Sequence, residues 1–160
     1  MGIIDFFKKK DDVPEQSEQA KSKKTTVEQS KCGTPRIAPD IIKTLADDEI
    51  FVFGSNLAGY HGGGAARAAM EKFGAEWGKG VGLQGQSYAI PTMQGGVETI
   101  KPYVDEFIAF AKAHPELKFL VTRIGCGIAG FRDKDIAPLF RDAVDVENIF
   151  LPRSFLLLYD

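Results

Sequence analysis

Cysteine and histidine are nearly absent from this sequence: Cys32 and Cys126, His61 and His114 are the only ones in 160 residues. Neither pair has the CxxC or HxxxH spacing of a zinc site, so no metal centre is expected. The cysteines lie far apart in dissimilar contexts, which is no disulfide framework and points to a reducing, cytoplasmic compartment. No apolar run approaches the roughly 18 residues that a membrane span needs. The first residues also lack the basic segment followed by an apolar stretch of a secretory leader. Excess charge is missing too: 20 Lys and Arg against 22 Asp and Glu leave a net −2, which argues against a dedicated nucleic-acid binder. No Walker lysine follows the glycine cluster at Gly62, so a P-loop ATPase is not supported.

What is present divides the chain in three. Residues 1–10, MGIIDFFKKK, place Ile3, Phe6 and Phe7 on one helical face ahead of three lysines. They read as a short amphipathic peptide for a protein partner or an anionic membrane surface, or as a frayed start that packs on its own domain or on nothing. Phe6 stands where a myristoylation signal wants Ser or Thr, so lipidation is not supported. Residues 11–36 are rich in Lys, Glu, Gln, Ser and Thr, without an aromatic residue, and cannot bury enough surface to offset their ordering entropy. They read as a flexible polar linker, with Cys32 an exposed thiol. Residues 37–160 would form the folded domain, with a hydrophobic fraction for the whole chain, 44%, that suits an ordinary core.

Within that domain the residue patterns predict alternating strands and helices. Pro39–Leu45 reads as a helical turn. The apolar run around Phe51–Phe53 reads as a buried strand. Ala65–Phe73 reads as a helix with a small-residue stripe, closed at Gly74. Ser87–Ile90 reads as a strand ended by Pro91-Thr92. Ile100, Tyr103, Val104, Phe107, Ile108 and Ala111 keep a 3.6-residue period, so a helix is expected from about Ile100 to Ala113, with Thr99 as its cap and His114-Pro115 as its stop. Lys118–Ile124 reads as a strand, Asp133–Val144 as a helix, and Ser154–Leu158 as the last strand. This order implies an α/β fold with a mostly parallel central sheet.

Five glycines stand in the eleven residues from Gly54 to Gly64, more than a turn needs. They leave backbone N–H groups uncovered, and the helix start that follows adds its own unpaired N–H groups and a partial positive charge. Phosphate is the common biological anion for such a place. A glycine turn that only lets the helix pack closely is the bland alternative. A second loop, Gly125-Cys126-Gly127-Ile128-Ala129-Gly130-Phe131, follows another strand. Ligands of parallel α/β folds sit at the carboxyl ends of the strands, so both loops belong at one edge. The second loop also fits GxGxxG, but the acidic residues about 20 positions on, Asp145 and Glu147, precede the last strand instead of ending one. Cys126 reads as a small strand-end residue, with an activated thiol nucleophile as the alternative.

These residues resemble the macrodomain family, which binds ADP-ribose and related nucleotides. The resemblance lies in Asn56 followed by Gly62-Gly63-Gly64, in Gly74 at the helix end, and in Cys126-Gly127-Ile128-Ala129-Gly130-Phe131 after a buried strand. It covers roughly Asp47 to Asp160, and the runs FVFGSN and GLQGQSYAIPT resemble a bacterial and phage branch of macro-like proteins. It implies a three-layer macrodomain-like fold. Gly54, Ser55, Asn56, Gly62, Gly63 and Gly64 would serve the diphosphate and distal ribose, with Asn56 hydrogen-bonding that ribose. Gly127, Ile128, Ala129 and Gly130 would wrap the phosphates from the other side, with Gly125 and Cys126 in the same binding loop, and Phe131 would stack near the ribose. Two departures limit it. Ala66 stands where the hydrolase branch carries an acidic residue, and the acidic residue that selects adenine has only Asp47, Asp48 or Glu49 as loose substitutes.

The expected function is binding of ADP-ribose or a related phosphorylated nucleoside, without a cofactor. The catalytic option is hydrolysis of an ADP-ribosyl linkage or ribose phosphate, with Asn56 placing the ribose or a water and His61 moving the proton. His61 equally suits a loop residue that bonds backbone. The alternative class is a non-enzymatic nucleotide-sensing or phage-associated binding module.

Overall fold

The apolar run at Phe51–Phe53 is the middle of a central strand, β2 (Glu49–Ser55), in a computed structural model that describes residues 36–159. The expectations for Met1–Lys10, for the linker up to residue 35 and for Cys32 lie outside those residues. Arg36, assigned to the linker from sequence, belongs to the folded unit and donates to the Val144 carbonyl.

On one side β2 pairs in parallel with β4 (Ser87–Pro91), and on the other with β5 (Lys118–Val121). Beyond β5 come β6 (Ile149–Pro152) and then β1 (Ile37–Ala38), both parallel. Beyond β4 lies β3 (Gly82–Gln84), the one antiparallel edge. The six-stranded order is β1-β6-β5-β2-β4-β3. The fold is therefore α/β with a mostly parallel sheet.

Alternate residues of β2 and β4 enter two hydrophobic clusters. Ile50, Val52, Tyr88, Ile90, Phe119 and Val121 join Ile100, Val104, Phe107 and Ile108 of helix α2 (Val97–Ala113). Phe51, Phe53 and Ala89 join Ala66, Ala69 and Phe73 at helix α1 (Gly64–Lys72). Topology explains the split. From β2 the chain crosses by α1 to β4, then returns by α2 past β2 to β5. Two right-handed crossovers in opposite directions send their helices to opposite sheet faces. The point where the direction reverses, just beyond the carboxyl end of β2, is where such sheets leave a crevice.

Several expectations are corrected. Helix α2 starts at Val97, capped by Gly96, and Thr99 turns its hydroxyl onto the Gly96 carbonyl (2.6 Å) instead of capping. Its end at His114 is as expected. Residues 39–45 form no helical turn, and Ile41 is exposed. Strand β5 stops at Val121, three residues early, because Thr122, Arg123 and Ile124 turn into the glycine loop. The Asp133–Val144 helix is α-helical only over α3 (Asp133–Ile136) and continues as a 3₁₀ helix, Ala137–Ala143, where Pro138 lacks the N–H of an α-turn. The last strand is Ile149–Pro152, and the apolar run assigned to it from sequence starts α4 (Arg153–Leu156). Among the described residues no helix is long and apolar enough to cross a membrane.

Candidate functional site

Gly54 is the floor of the crevice. A Cβ there would lie 3.3 Å from the Gly125 nitrogen and 3.4 Å from both Ile124 Cγ2 and Thr92 Oγ1, so the ends of β2, β4 and β5 converge on it. Above it opens a cleft of about 240 Å³. One wall is Gly54, Ser55, Asn56, Tyr60 and the start of α1, Gly63 to Ala66. The other is Thr122 to Gly125 with Gly127, Ile128 and Ala129, and Thr92 and Met93 border it behind β4. Ile128 reaches across: its Cδ1 stands 3.3 Å from where a Cβ on Gly63 would be. Among the described residues, the N–H groups of Gly64, Ala65 and Ala66 have no backbone acceptor, and neither have those of Gly127, Ile128 and Ala129. Both walls therefore carry free donors. Two roomier depressions, about 860 and 450 Å³, lie along α2 with the 3₁₀ helix and beside β1, away from these strand ends. Their walls are helix side chains of mixed charge and the irregular 39–44 segment, without a glycine loop.

The first wall is built by one loop locked against another. Asn56 closes its own loop: Tyr60 N–H donates to Oδ1 (2.8 Å) and Nδ2 donates to the Tyr60 carbonyl (3.0 Å). Buried Ser55 donates its hydroxyl to the Gly80 carbonyl at 2.6 Å. Gly78 N–H donates to the Gly59 carbonyl at 2.8 Å. Lys79 O receives Gln84 Nε2 at 3.0 Å and lies 3.2 Å from His61 Nε2. A further glycine-rich stretch, Trp77 to Gln86, thus buttresses the loop that leads to α1.

Charge at the cleft comes from Arg123. Its guanidinium makes a two-point pair with Asp133, Nε to Oδ1 at 2.9 Å and Nη2 to Oδ2 at 3.1 Å. Burial pushes Asp133 up, but hydrogen bonds from Arg123 and Cys126 outweigh it and hold the carboxyl below its usual range. The Cys126 thiol donates to Asp133 Oδ1 at 3.2 Å. Burial, that hydrogen bond and the adjacent carboxylate push the thiol up to about 12. Burial first, and then the Asp133 carboxylate, thus disfavour the thiolate that the activated-thiol alternative needs. Cys126 is half-buried, so alkylation at pH 8, read by mass spectrometry of its peptide, is expected to run at least about tenfold slower in the native protein than in urea. Equal rates would show a reactive thiol after all.

Of the residues expected at the site, Gly54, Ser55, Asn56, Gly63, Gly64, Gly125, Gly127, Ile128 and Ala129 line the cleft together. His61, Gly62, Cys126, Gly130 and Phe131 do not. His61 is fully buried, edge-on to Phe53 at 5.4 Å, with its only hydrogen bond to Lys79 O. That contact requires the proton on Nε2, which leaves Nδ1 as a buried atom without a partner. Phe131 packs against the core beside Gly125. Residues not expected from sequence are Tyr60, Ala65, Thr92, Met93, Thr122, Arg123 and Ile124, while Ala66, singled out there for the acid it lacks, also lines the cleft. Thr92 and Thr122–Ile124 directly follow β4 and β5, so the carboxyl-edge rule could have found them. Among the described residues no Asp, Glu or His lines the cleft, and no group of three metal-binding side chains is assembled.

Comparison with protein-family models, with characterised proteins and with solved structures gives no match for the chain.

Proposed function

We propose that this protein is a three-layer, macrodomain-like binder of ADP-ribose or a related phosphorylated nucleoside, and that it reads the ligand without hydrolysing it. The observation that carries this is the pair of glycine loops at neighbouring parallel strand ends, closing on one cleft with free N–H donors in both walls. Two such rows can share a diphosphate, and Arg123 lines the cleft beside them with its charge balanced by Asp133. The split of α1 and α2 between the two sheet faces supports the layered form.

Binding is favoured over turnover because, among the described residues, the cleft has no acid or imidazole to activate water. Ala66 lines it where the resembled hydrolases carry an acid. The Asn56 amide is engaged in its own loop, and His61 lies beneath the surface. A ribose phosphate without a base is a second reading, favoured by the volume: about 240 Å³ is below the roughly 300–1,000 Å³ of drug-sized sites.

Calorimetry and thermal melts decide the matter. Saturable heat with ADP-ribose is expected, and ligand at 100 times its Kd should add about 2.7 kcal/mol of stability. ADP-ribosylated protein incubated with the chain should stay intact. No heat and no melting shift with ADP-ribose, ADP or ribose 5-phosphate at millimolar concentration would reject the proposal.

A further inference from the structure

Two large aromatic rings stand in solvent at the mouth of this cleft. Tyr60 is 60% exposed and Trp77 is 59% exposed, yet they stack on each other with centroids 5.3 Å apart and planes at 18°. Neither ring joins either hydrophobic cluster. Tyr60 lines the cleft, and among the described residues it is the only aromatic that does.

The pair is held still from both sides. Asn56 grips Tyr60 through both its N–H and its carbonyl. Gly59, next to Tyr60, packs so closely on the Gly78–Lys79 peptide that a Cβ would fall 2.2 Å from the Lys79 nitrogen, and Gly78 N–H bonds the Gly59 carbonyl. A rigid ring with a free outer face binds a flat partner at little entropic cost.

The cleft volume supplies the partner. A cleft of about 240 Å³ lies below the range of drug-sized sites, so it suits the phosphate end of a nucleotide and leaves any base on the same ligand at the rim. We infer that the Tyr60–Trp77 stack is the platform on which the ligand's nucleobase lies, outside the cleft that takes its phosphates. This rests on the phosphate-binding reading above. Every base has a π-face, so such a platform confers a preference for nucleotides over sugar phosphates without choosing among bases. The same geometry would also arise if the rings only stapled the two loops together, and the experiment separates these.

The full chain is titrated with ribose 5-phosphate, AMP and ADP-ribose by calorimetry and by tryptophan fluorescence excited at a wavelength the nucleotides do not absorb. Trp77 is the sole tryptophan, so the signal comes from the platform itself. AMP and ADP-ribose should quench it and bind about 5- to 100-fold tighter than ribose 5-phosphate, which should not quench. Tyr60→Ala should bring the ratio of AMP to ribose 5-phosphate affinity close to one, and Tyr60→Phe should restore most of it. Trp77→Leu should lower the ratio partly. A wild-type ratio near one overturns the platform and leaves the phosphate cleft standing. So does a Tyr60→Ala protein that loses stability yet keeps the wild-type ratio, which is the signature of a staple. If neither these compounds nor pyrophosphate bind, the cleft reading falls and the platform with it.

Discussion

Alanine at Gly59 or at Gly80 should each lower the melting temperature by on the order of 10 °C and abolish ligand binding. The two residues are the interlock between the loop after β2 and the loop after Trp77. At Gly59 the backbone has φ +77°, and an added Cβ would lie 2.2 Å from Lys79 N and 2.4 Å from the Gly78 carbonyl carbon. At Gly80 the backbone itself would accept a side chain, but the Cβ would lie 2.1 Å from the Asn56 oxygen and 2.6 Å from that of Leu57. Both collisions are with backbone, so no rotamer change relieves them, and the loops must part. Parting them exposes the Ser55–Gly80 hydrogen bond and leaves the His61 side chain without Lys79 O. Strain and lost buried bonds together should cost about 3 kcal/mol or more. Binding fails by the same route, since Asn56, Tyr60 and the start of α1 hang on that interlock. Melts followed by circular dichroism check this. A midpoint within about 2 °C of the wild type would mean that the loops separate freely and are not what shapes the cleft.

The parts of this molecule that could be read from the sequence are those where one residue type can mean one thing. Phe51–Phe53 is a strand because a short β-branched and aromatic run has little alternative, and both its faces are buried. Helix α2 was legible from its period, and only its start was missed, since Gly96 caps it without a side-chain signal. The end of the chain misled because Phe155 to Leu158 has strand composition. The structure places Pro152 at the junction: it lacks an N–H, ends β6 and opens α4. Phe155 of that run is buried in the core and Leu156 packs against it, while Leu157 and Leu158 are exposed.

The site shows the same limit. Its two glycine loops were visible, because runs of glycine after strands have a physical meaning by themselves. The burial of His61 was not, since it depends on Lys79 and Phe53 from other parts of the chain. Arg123 was hidden for the opposite reason: an arginine inside an apolar segment reads as the polar side of a strand. It matters only because β5 stops two residues earlier and Asp133 holds it. The role of Asn56 changed for a reason that spacing cannot show. Its amide is bonded to Tyr60 four residues on, so it shapes the loop before it meets any ligand.

Gly127→Ala should leave stability intact while weakening ADP-ribose by about 10- to 100-fold, and this pairing is the sharpest test of the cleft. Most glycines here are explained by the fold itself, either by a left-handed backbone or by a neighbour in the way. Gly127 has neither: its φ lies outside the left-handed region, and a Cβ there would meet nothing within 4 Å. Alanine at such a position stiffens the unfolded chain and should stabilise by about 0.4–1 kcal/mol, if it changes stability at all. Gly127 nevertheless lines the cleft with an N–H that has no backbone acceptor. Space that the protein leaves unused beside a free donor is space in which an anion can approach the main chain. A methyl group there would hold a phosphate oxygen away from one charge-assisted hydrogen bond, worth about 1.5–3 kcal/mol, which gives the expected factor. Gly62→Ala is the companion: it is equally uncrowded, but Gly62 stands outside the lining, so the loss there should be smaller. Gly127→Asp adds a like charge and should abolish binding. If Gly127→Ala melts at or above the wild-type temperature and still binds ADP-ribose with undiminished affinity, the phosphates do not sit over this loop.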